Sequence, residues 1–461
     1  MATALGITLV FAFLAILLHQ LILVPFLYHP LSRLPGPKIY ALTKWRLARD
    51  DWGRRTRSVH ALHMQHGPIV RIGPNEVHFN SITALRTIYG AGSGFERTAF
   101  YSMFNVYGKR NLFTFPTVAD HARRKRLLAH AYSKSAILKN HPATIVQDKI
   151  RDFLHLLEET PRSESLEIFA ALHCYSIDVI STFVYGTAEF GATTALQGTS
   201  SHVRLLDDIM DHSRRRLAWF AVHMPSLTSW MYTRTGLMEN LIRPFLPMQK
   251  PATYTAIRTH ALRAMESYRG AAVDTRVKAE DSIVARLWKV KGDVGLDDLD
   301  IASECADHLL AGIDTTSDTL MFLVWALSCP SHAHIQRKLI DECKNIDAKA
   351  IKNGVVDLEV ADRLPYLDAV VKETLRLYAP LPASEPRANR TDMIIDGYKI
   401  PRGTICSMAP YSLHRNPEVF PDPLNWDPER WLKDDDDPAL IAMRKWWWPF
   451  SSGARMCIGL Q

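Results

Sequence analysis

From Ala2 to Tyr28 the chain contains no Asp, Glu, Lys or Arg, and Leu, Ile, Val, Phe and Ala dominate around a weak His19-Gln20 interruption. A helix of that length crosses a hydrocarbon core of about 30 Å, so everything after it must fold on one side of a membrane. A cleaved signal peptide is the competing reading, but the basic leader is missing and the apolar run is too long for it. Arg33, Lys38, Lys44, Arg46 and Arg49 follow the run and nothing basic precedes it. The positive-inside rule then leaves all that follows residue 30 in the cytoplasm, behind a single-pass anchor over 1–30. Leu34-Pro35-Gly36-Pro37-Lys38 cannot continue the helix, and its two prolines stiffen a hinge over 31–40.

The remainder is neither disordered nor polytopic, because 47% hydrophobic and 22% charged residues are the proportions of a globular body. Length alone predicts roughly three domains, yet no linker, repeat or long low-complexity stretch divides the chain, so 41–461 reads as one unit. The formal charge of +7 allows nucleic acid, an anionic membrane or an acidic protein as partner. Nothing resembles a zinc finger, an RRM signature or a basic zipper, which argues against nucleic acid. Cys174, Cys305, Cys329, Cys343, Cys406 and Cys457 are scattered without a C-x-x-C pair, which disfavours a disulfide framework or a structural zinc and favours a reducing compartment.

Hydrophobic patterning predicts a mainly helical α+β fold with small sheets at two places. Ile69–Ile72 and Val77–Phe79 flank a Gly73-Pro74-Asn75 turn, and Ile394-Ile395 and Tyr398–Ile400 flank Asp396-Gly397, a hairpin signal. Between about 120 and 345 apolar residues recur three and four apart, the helical period. His60, His63 and His66 share that spacing, but no carboxylate accompanies them, and a solvated histidine face is the simpler expectation.

The most specific segment is Phe450-Ser451-Ser452-Gly453-Ala454-Arg455-Met456-Cys457-Ile458-Gly459. It resembles the haem-thiolate loop of the cytochrome P450 monooxygenases, and five fixed identities of this kind occur by chance with probability on the order of 10⁻⁴ in such a chain. The resemblance implies Cys457 as axial ligand of a haem b iron, where a thiolate pushes electron density that favours O–O cleavage. It gives Gly453 and Gly459 the close approach of backbone N–H groups to the sulfur, Phe450 the shielding of the thiolate, and Arg455 a haem propionate.

Ala311-Gly312-Ile313-Asp314-Thr315-Thr316 lies in an apolar-periodic run from Leu299 to Leu327. A helix-interior glycine costs about 1 kcal/mol relative to alanine, so something besides helix stability favours it. The stretch resembles the oxygen-binding helix of the same family, which implies room for dioxygen at Gly312 and a proton relay through Thr315 and Asp314. The plainer alternative is a helix whose threonine hydroxyls bond back to the preceding turn.

Glu373-Thr374-Leu375-Arg376, in a helix over Tyr366–Tyr378, places an acid and a base on one face. With the flanking Leu364-Pro365-Tyr366-Leu367 and the later Trp426-Asp427-Pro428-Glu429-Arg430, it is similar to the E-x-x-R helix of that family, although Trp426 stands where Phe is usual. The resemblance implies a buried Glu373, Arg376, Arg430 network. It also implies propionate contacts from Arg387, and from His121 and Lys125, which replace the usual Trp and Arg of a W-x-x-x-R helix.

These motifs run in family order along the whole chain. They imply a membrane-anchored, haem-dependent monooxygenase of the endoplasmic reticulum, fed by an NADPH-dependent flavoprotein reductase and acting on a small lipophilic substrate. The style of Gly73-Pro74-Asn75-Glu76 and His121–Arg124 is similar to filamentous-fungal members of secondary metabolism, which points to a terpenoid, polyketide or alkaloid intermediate. Phe100, Tyr101, Phe104, Tyr107, Phe113, Leu309 and Leu381–Ala383 are pocket candidates, with core packing the equal alternative. The chain stops four residues after Cys457, where such proteins continue, so a truncated, non-catalytic relative with weak or no haem binding is the rival expectation.

Overall fold

The computed structural model describes residues 2–50, 54–161, 163–210 and 255–460, with positions 219, 223, 224, 227, 237 and 241. The apolar N-terminus forms helix α1 over Ala2–Leu18 and continues with wider π-type turns over His19–Tyr28. The span Leu5–Tyr28 is long and apolar enough to cross a membrane, with Pro25 its buried residue, and it fits a single-pass anchor. Ile168–Tyr185 passes the same length and composition test, but it is half buried as a core helix.

The chain packs as two compact units, the first comprising residues 1–98, 382–416 and 445–455 and the second 99–381, 417–444 and 456–461. The first unit carries the sheets expected from sequence. Strand β1 (Ile69–Gly73) pairs antiparallel with β2 (Glu76–Phe79) through Ile69↔Phe79 and Val70↔His78. Two strands of the same sheet had no local signal, β3 (Glu96–Arg97) and β6 (Arg387–Ala388). With β9 (Ile405–Ser407) they complete the order β1-β2-β9-β6-β3. The second hairpin, β7 (Met393–Ile395) with β8 (Tyr398–Ile400), turns at Asp396 and Gly397 with φ of 48° and 83°. Successive positive φ values are what a tight two-residue hairpin demands, and Asp-Gly tolerates them. Beneath the sheet Phe79, Ile88, Ile400, Cys406 and Leu413 form an apolar core. The proline-rich segment packs on β1, where the Arg71 amide donates to Pro35 O at 2.8 Å, and the Arg71 guanidinium donates to Pro25 O of the preceding apolar helix at 3.1 Å.

His63 departs from the solvated histidine face expected for its helix. It is buried, with Nδ1 2.8 Å from Gly67 O and Nε2 2.7 Å from His78 Nδ1. Burial holds its pKa down to about 4, and the Gly67 contact only partly opposes that. The helical spacing of the three histidines thus aims one imidazole into β2.

Among its described residues the second unit is mainly helical, with the short strand pair β4 (Ile351–Lys352) and β5 (Val355–Val356). Its elements that matter for function are α2 (Val118–Leu128), α3 (Ile168–Tyr185), α4 (Asp298–Ser328) and α5 (Pro365–Leu377). A capping box between Asp297 and Asp300 starts α4, satisfying amides that the first turn leaves unpaired. The helix then buries Ile301, Cys305, Leu309 and Ile313 against Ile177 and Val184 of α3.

Candidate functional site

In the first unit the segment before Cys457 is held on the end of the helix Ile82–Tyr89. Trp448 N–H donates to His414 Nε2 at 2.7 Å, its indole donates to Ser452 Oγ at 3.0 Å, and Ser452 Oγ donates to Tyr89 O at 3.1 Å. Gly453 has φ of +64°, and a Cβ there would lie 2.4 Å from Tyr89 O. Both the backbone conformation and the approach of Tyr89 exclude any side chain. Glycine is thus required here by the fit of the loop on Tyr89, a reason that acts beside the approach to sulfur expected from sequence. Phe450 is half-buried with its ring 5.9 Å from that of Trp447, and Arg455 is buried at the end of a short 3₁₀ turn.

Arg387 is buried on β6, where its guanidinium donates to Glu385 Oε2 at 3.1 Å and lies 5.2 Å over the Tyr89 ring. Ser451 Oγ donates to the same Glu385 oxygen at 3.0 Å. One carboxylate therefore ties the arginine to the loop.

In the second unit Cys457 is exposed, while the next residue, Ile458, packs on the helical core. Gly459 lies against the sulfur, since a Cβ there would sit 3.9 Å from Sγ. Lys125 of α2 donates to Met456 O at 2.9 Å. This ammonium thus fixes the carbonyl that precedes Cys457, beside the propionate contact that the resemblance implies. His121, one turn earlier, is buried.

The α4 residues are placed differently from one another. Thr315 Oγ1 donates to Ala311 O at 2.7 Å, the back-bonding that was the plainer alternative. Asp314 Oδ1 lies 3.6 Å from His173 Nε2 of α3. The Cβ position of Gly312 meets Ile180 Cγ1 at 2.6 Å, so the space beside this glycine is filled by α3, and Ala311 is the exposed residue of the pair. The glycine thus has a packing reason that a single sequence could not show. Gly312→Ala is expected to cost about 1–3 kcal/mol through overpacking, and Ile180→Ala in the same chain to recover part of it; thermal unfolding of the two variants checks this.

The acid-base network on α5 is fully formed. Glu373 and Arg376 are both completely buried and pair through two 2.8 Å bonds, Nε to Oε2 and Nη2 to Oε1. Arg430 Nε donates to Oε1 at 3.1 Å, as expected from sequence. The Trp431 indole and the Asp427 amide, each at 2.9 Å, complete five donors to one carboxylate. Sequence reading missed a second buried acid, Glu304 of α4, which accepts from Arg124 and from the Leu112 amide at 3.0 Å. Burial alone would raise its pKa, but His308, Arg124 and the Leu112 amide outweigh it and hold the carboxyl below its usual value. Arg124 is thereby a buried structural partner. The aromatic candidates Phe100, Tyr101, Phe104 and Phe113 form one edge-to-face cluster with centroids 5.3–5.8 Å apart, while Leu309 is fully buried in the core.

Among the described residues no three His, Cys, Asp or Glu side chains are arranged to hold a metal ion. The exposed thiol of Cys457 fits a metal whose remaining ligands come from an organic macrocycle, and the buried Arg387 and Arg455 fit the carboxylates of such a group. These features define a haem-thiolate protein. The sequence model of the family described as Cytochrome P450 matches residues 34–461, and the chain belongs to that family. It is 29% identical over 449 residues to Cytochrome P450 monooxygenase stcB of Emericella nidulans, covering 94% of this chain and 79% of that one. Cytochrome P450 monooxygenase aflV of Aspergillus parasiticus is 28% identical over 438 residues, 94% of this chain and 82% of the relative. Pisatin demethylase of Fusarium vanettenii is 23% identical over 445 residues, 94% of this chain and 80% of the relative. The protein is accordingly a haem-dependent monooxygenase, an oxidoreductase of a family that generally draws electrons from a redox partner and acts on lipophilic molecules.

Proposed function

We propose that the chain is anchored by residues 1–30 in the endoplasmic reticulum membrane, with a hinge over 31–40 and a cytosolic catalytic domain over 41–461. It inserts one atom of dioxygen into a lipophilic intermediate of fungal secondary metabolism, a terpenoid, polyketide or alkaloid, with electrons from an NADPH-dependent flavoprotein reductase. The relatives from Emericella, Aspergillus and Fusarium support the metabolic setting, and the name of one records a demethylation. The aromatic cluster at Phe100–Phe113 supports an apolar substrate.

The observation that carries the reading is the exposed thiol of Cys457 in a loop braced on both flanks. When bound, the haem supplies dioxygen binding and O–O cleavage under the push of the thiolate. The chain's own residues do the rest. Cys457 ligates, Gly459 leaves the sulfur open to backbone N–H groups, and Phe450 keeps water away. Arg455 and Arg387 would hold propionates, and His121 and Lys125 would be further partners for such carboxylates. Asp314 and Thr315 move protons along α4, with Gly312 setting the approach of α3 behind them. The net charge of +7 over the whole chain suits an acidic reductase or an anionic membrane.

The test is the carbon monoxide difference spectrum of reduced membranes carrying the full chain. The red-shifted Soret band of thiolate ligation is expected, together with reductase-dependent NADPH oxidation. Protein present without that band would leave the non-catalytic relative as the correct reading.

A further inference from the structure

Glu385 has no part in the chemistry proposed above, yet one of its oxygens serves two segments far apart in the chain. Its Oε2 accepts from Arg387 Nη2 at 3.1 Å and from Ser451 Oγ at 3.0 Å. Arg387 lies on β6, and Ser451 opens the stretch that leads to Cys457. The residue that brings them together is itself fixed. Its amide donates to Met408 O at 3.0 Å, and its carbonyl accepts from the Tyr89 hydroxyl. An acceptor whose backbone is bonded at both ends sets the direction of the groups that donate to it.

Both donors depend on that direction. Arg387 is buried, with its guanidinium 5.2 Å from the Tyr89 ring centroid and Nη1 donating to Pro386 O at 3.1 Å. Arg97 stands opposite it in the register of β3 with β6, and like charges directly opposite on neighbouring strands are unfavourable. A guanidinium grips a carboxylate through a planar fork, so the angle at which it is held decides whether it can bind one. Ser451 has φ of +59°, in the left-handed region that a residue with a Cβ enters at a cost. Its hydroxyl bond to Glu385 holds the loop in that shape.

We propose that Glu385 is a positioning residue that couples the two segments. It holds Arg387 in the direction needed for a haem carboxylate and Ser451 in the turn needed for the cysteine loop, so that propionate binding and thiolate ligation depend on one oxygen. This rests on the reading of Arg387 as a propionate partner.

The test uses the full-length, haem-loaded chain, in variants whose far-ultraviolet circular dichroism matches wild type. Two readouts report the two ends of the contact. The propionate bending mode in the resonance Raman spectrum reports the grip of Arg387, and the rate at which the red-shifted carbon monoxide band converts to its unshifted form reports the cysteine loop. Glu385→Met keeps the length but loses the oxygen, and it is expected to shift the mode and raise the rate severalfold. Glu385→Gln keeps an accepting oxygen and should return both close to wild type; a Gln variant no better than Met would overturn the positioning role. Ser451→Gly suits the left-handed backbone but lacks the hydroxyl, so the rate should rise with the mode in place. An unchanged rate there, or one readout moving without the other in Glu385→Met, would overturn the coupling. Arg387→Gln should shift the mode. No shift in that variant would sink the propionate reading itself, whereas a shift there with neither readout moved in Glu385→Met would sink only the role of Glu385.

Discussion

Glu373→Ala is expected to leave almost no folded, haem-loaded protein. The carboxylate accepts from Arg376, Arg430, Trp431 and the Asp427 amide inside a site with no exposure. Its removal strands two guanidinium groups in the interior. Breaking a buried pair by deleting one partner costs about 3–5 kcal/mol, because the remaining charge cannot be solvated. Set against a total stability of about 5–15 kcal/mol, that is a large share. Arg376 also donates to Pro423 O at 2.8 Å and Asn425 O at 2.9 Å, so losing its anchor frees the segment leading to Arg430. Arg376→Lys keeps the charge but cannot reproduce the fork, and should fall between wild type and Glu373→Ala. Yield of extracted protein, haem content and thermal midpoint measure the series. A Glu373→Ala chain with normal yield and midpoint would show that the network is dispensable for folding.

What the sequence made legible followed physical range. Both hairpins were readable because turn chemistry and alternation are local: Asp396-Gly397 could only be a tight turn, and Gly73-Pro74-Asn75 breaks any helix. Strands β3 and β6 were not, because Glu96–Arg97 and Arg387–Ala388 are two residues each and exist through pairing, β3 with β6 and β6 with β9. The cysteine loop was legible as a motif, yet the reasons for its residues were only partly so. That Gly453 must admit Tyr89 O, or that Lys125 grips Met456 O, depends on contacts between segments far apart in the chain. Gly312 teaches the same lesson, since its neighbour Ile180 belongs to another helix. His63 and Glu304 were misread or missed because burial of a polar side chain depends on partners, and His78, Arg124 and His308 lie on other elements or other turns.

Cys457→Ser should behave in the opposite way to Glu373→Ala: normal folding, no thiolate chemistry. The backbone around residue 457 does not depend on the sulfur for its conformation. On one side Gly453 and Ser452 are seated on Tyr89, and on the other Lys125 holds Met456 O while Ile458 packs into the helical core. Serine is close in shape, so the exchange leaves those contacts in place. What changes is the donor. A thiolate is a soft, electron-rich ligand that forms readily near neutral pH beside a metal, whereas a serine hydroxyl stays protonated there and donates weakly. With no other His, Cys, Asp or Glu cluster arranged for a metal among the described residues, no neighbour takes over the position. The far-ultraviolet circular dichroism should therefore match wild type, and the thermal midpoint of the haem-free chain should stay within a few degrees. The red-shifted carbon monoxide band and reductase-driven oxygenation should both fall below detection. A Cys457→Ser protein that kept the red-shifted band would remove Cys457 as the ligand and with it the proposed chemistry.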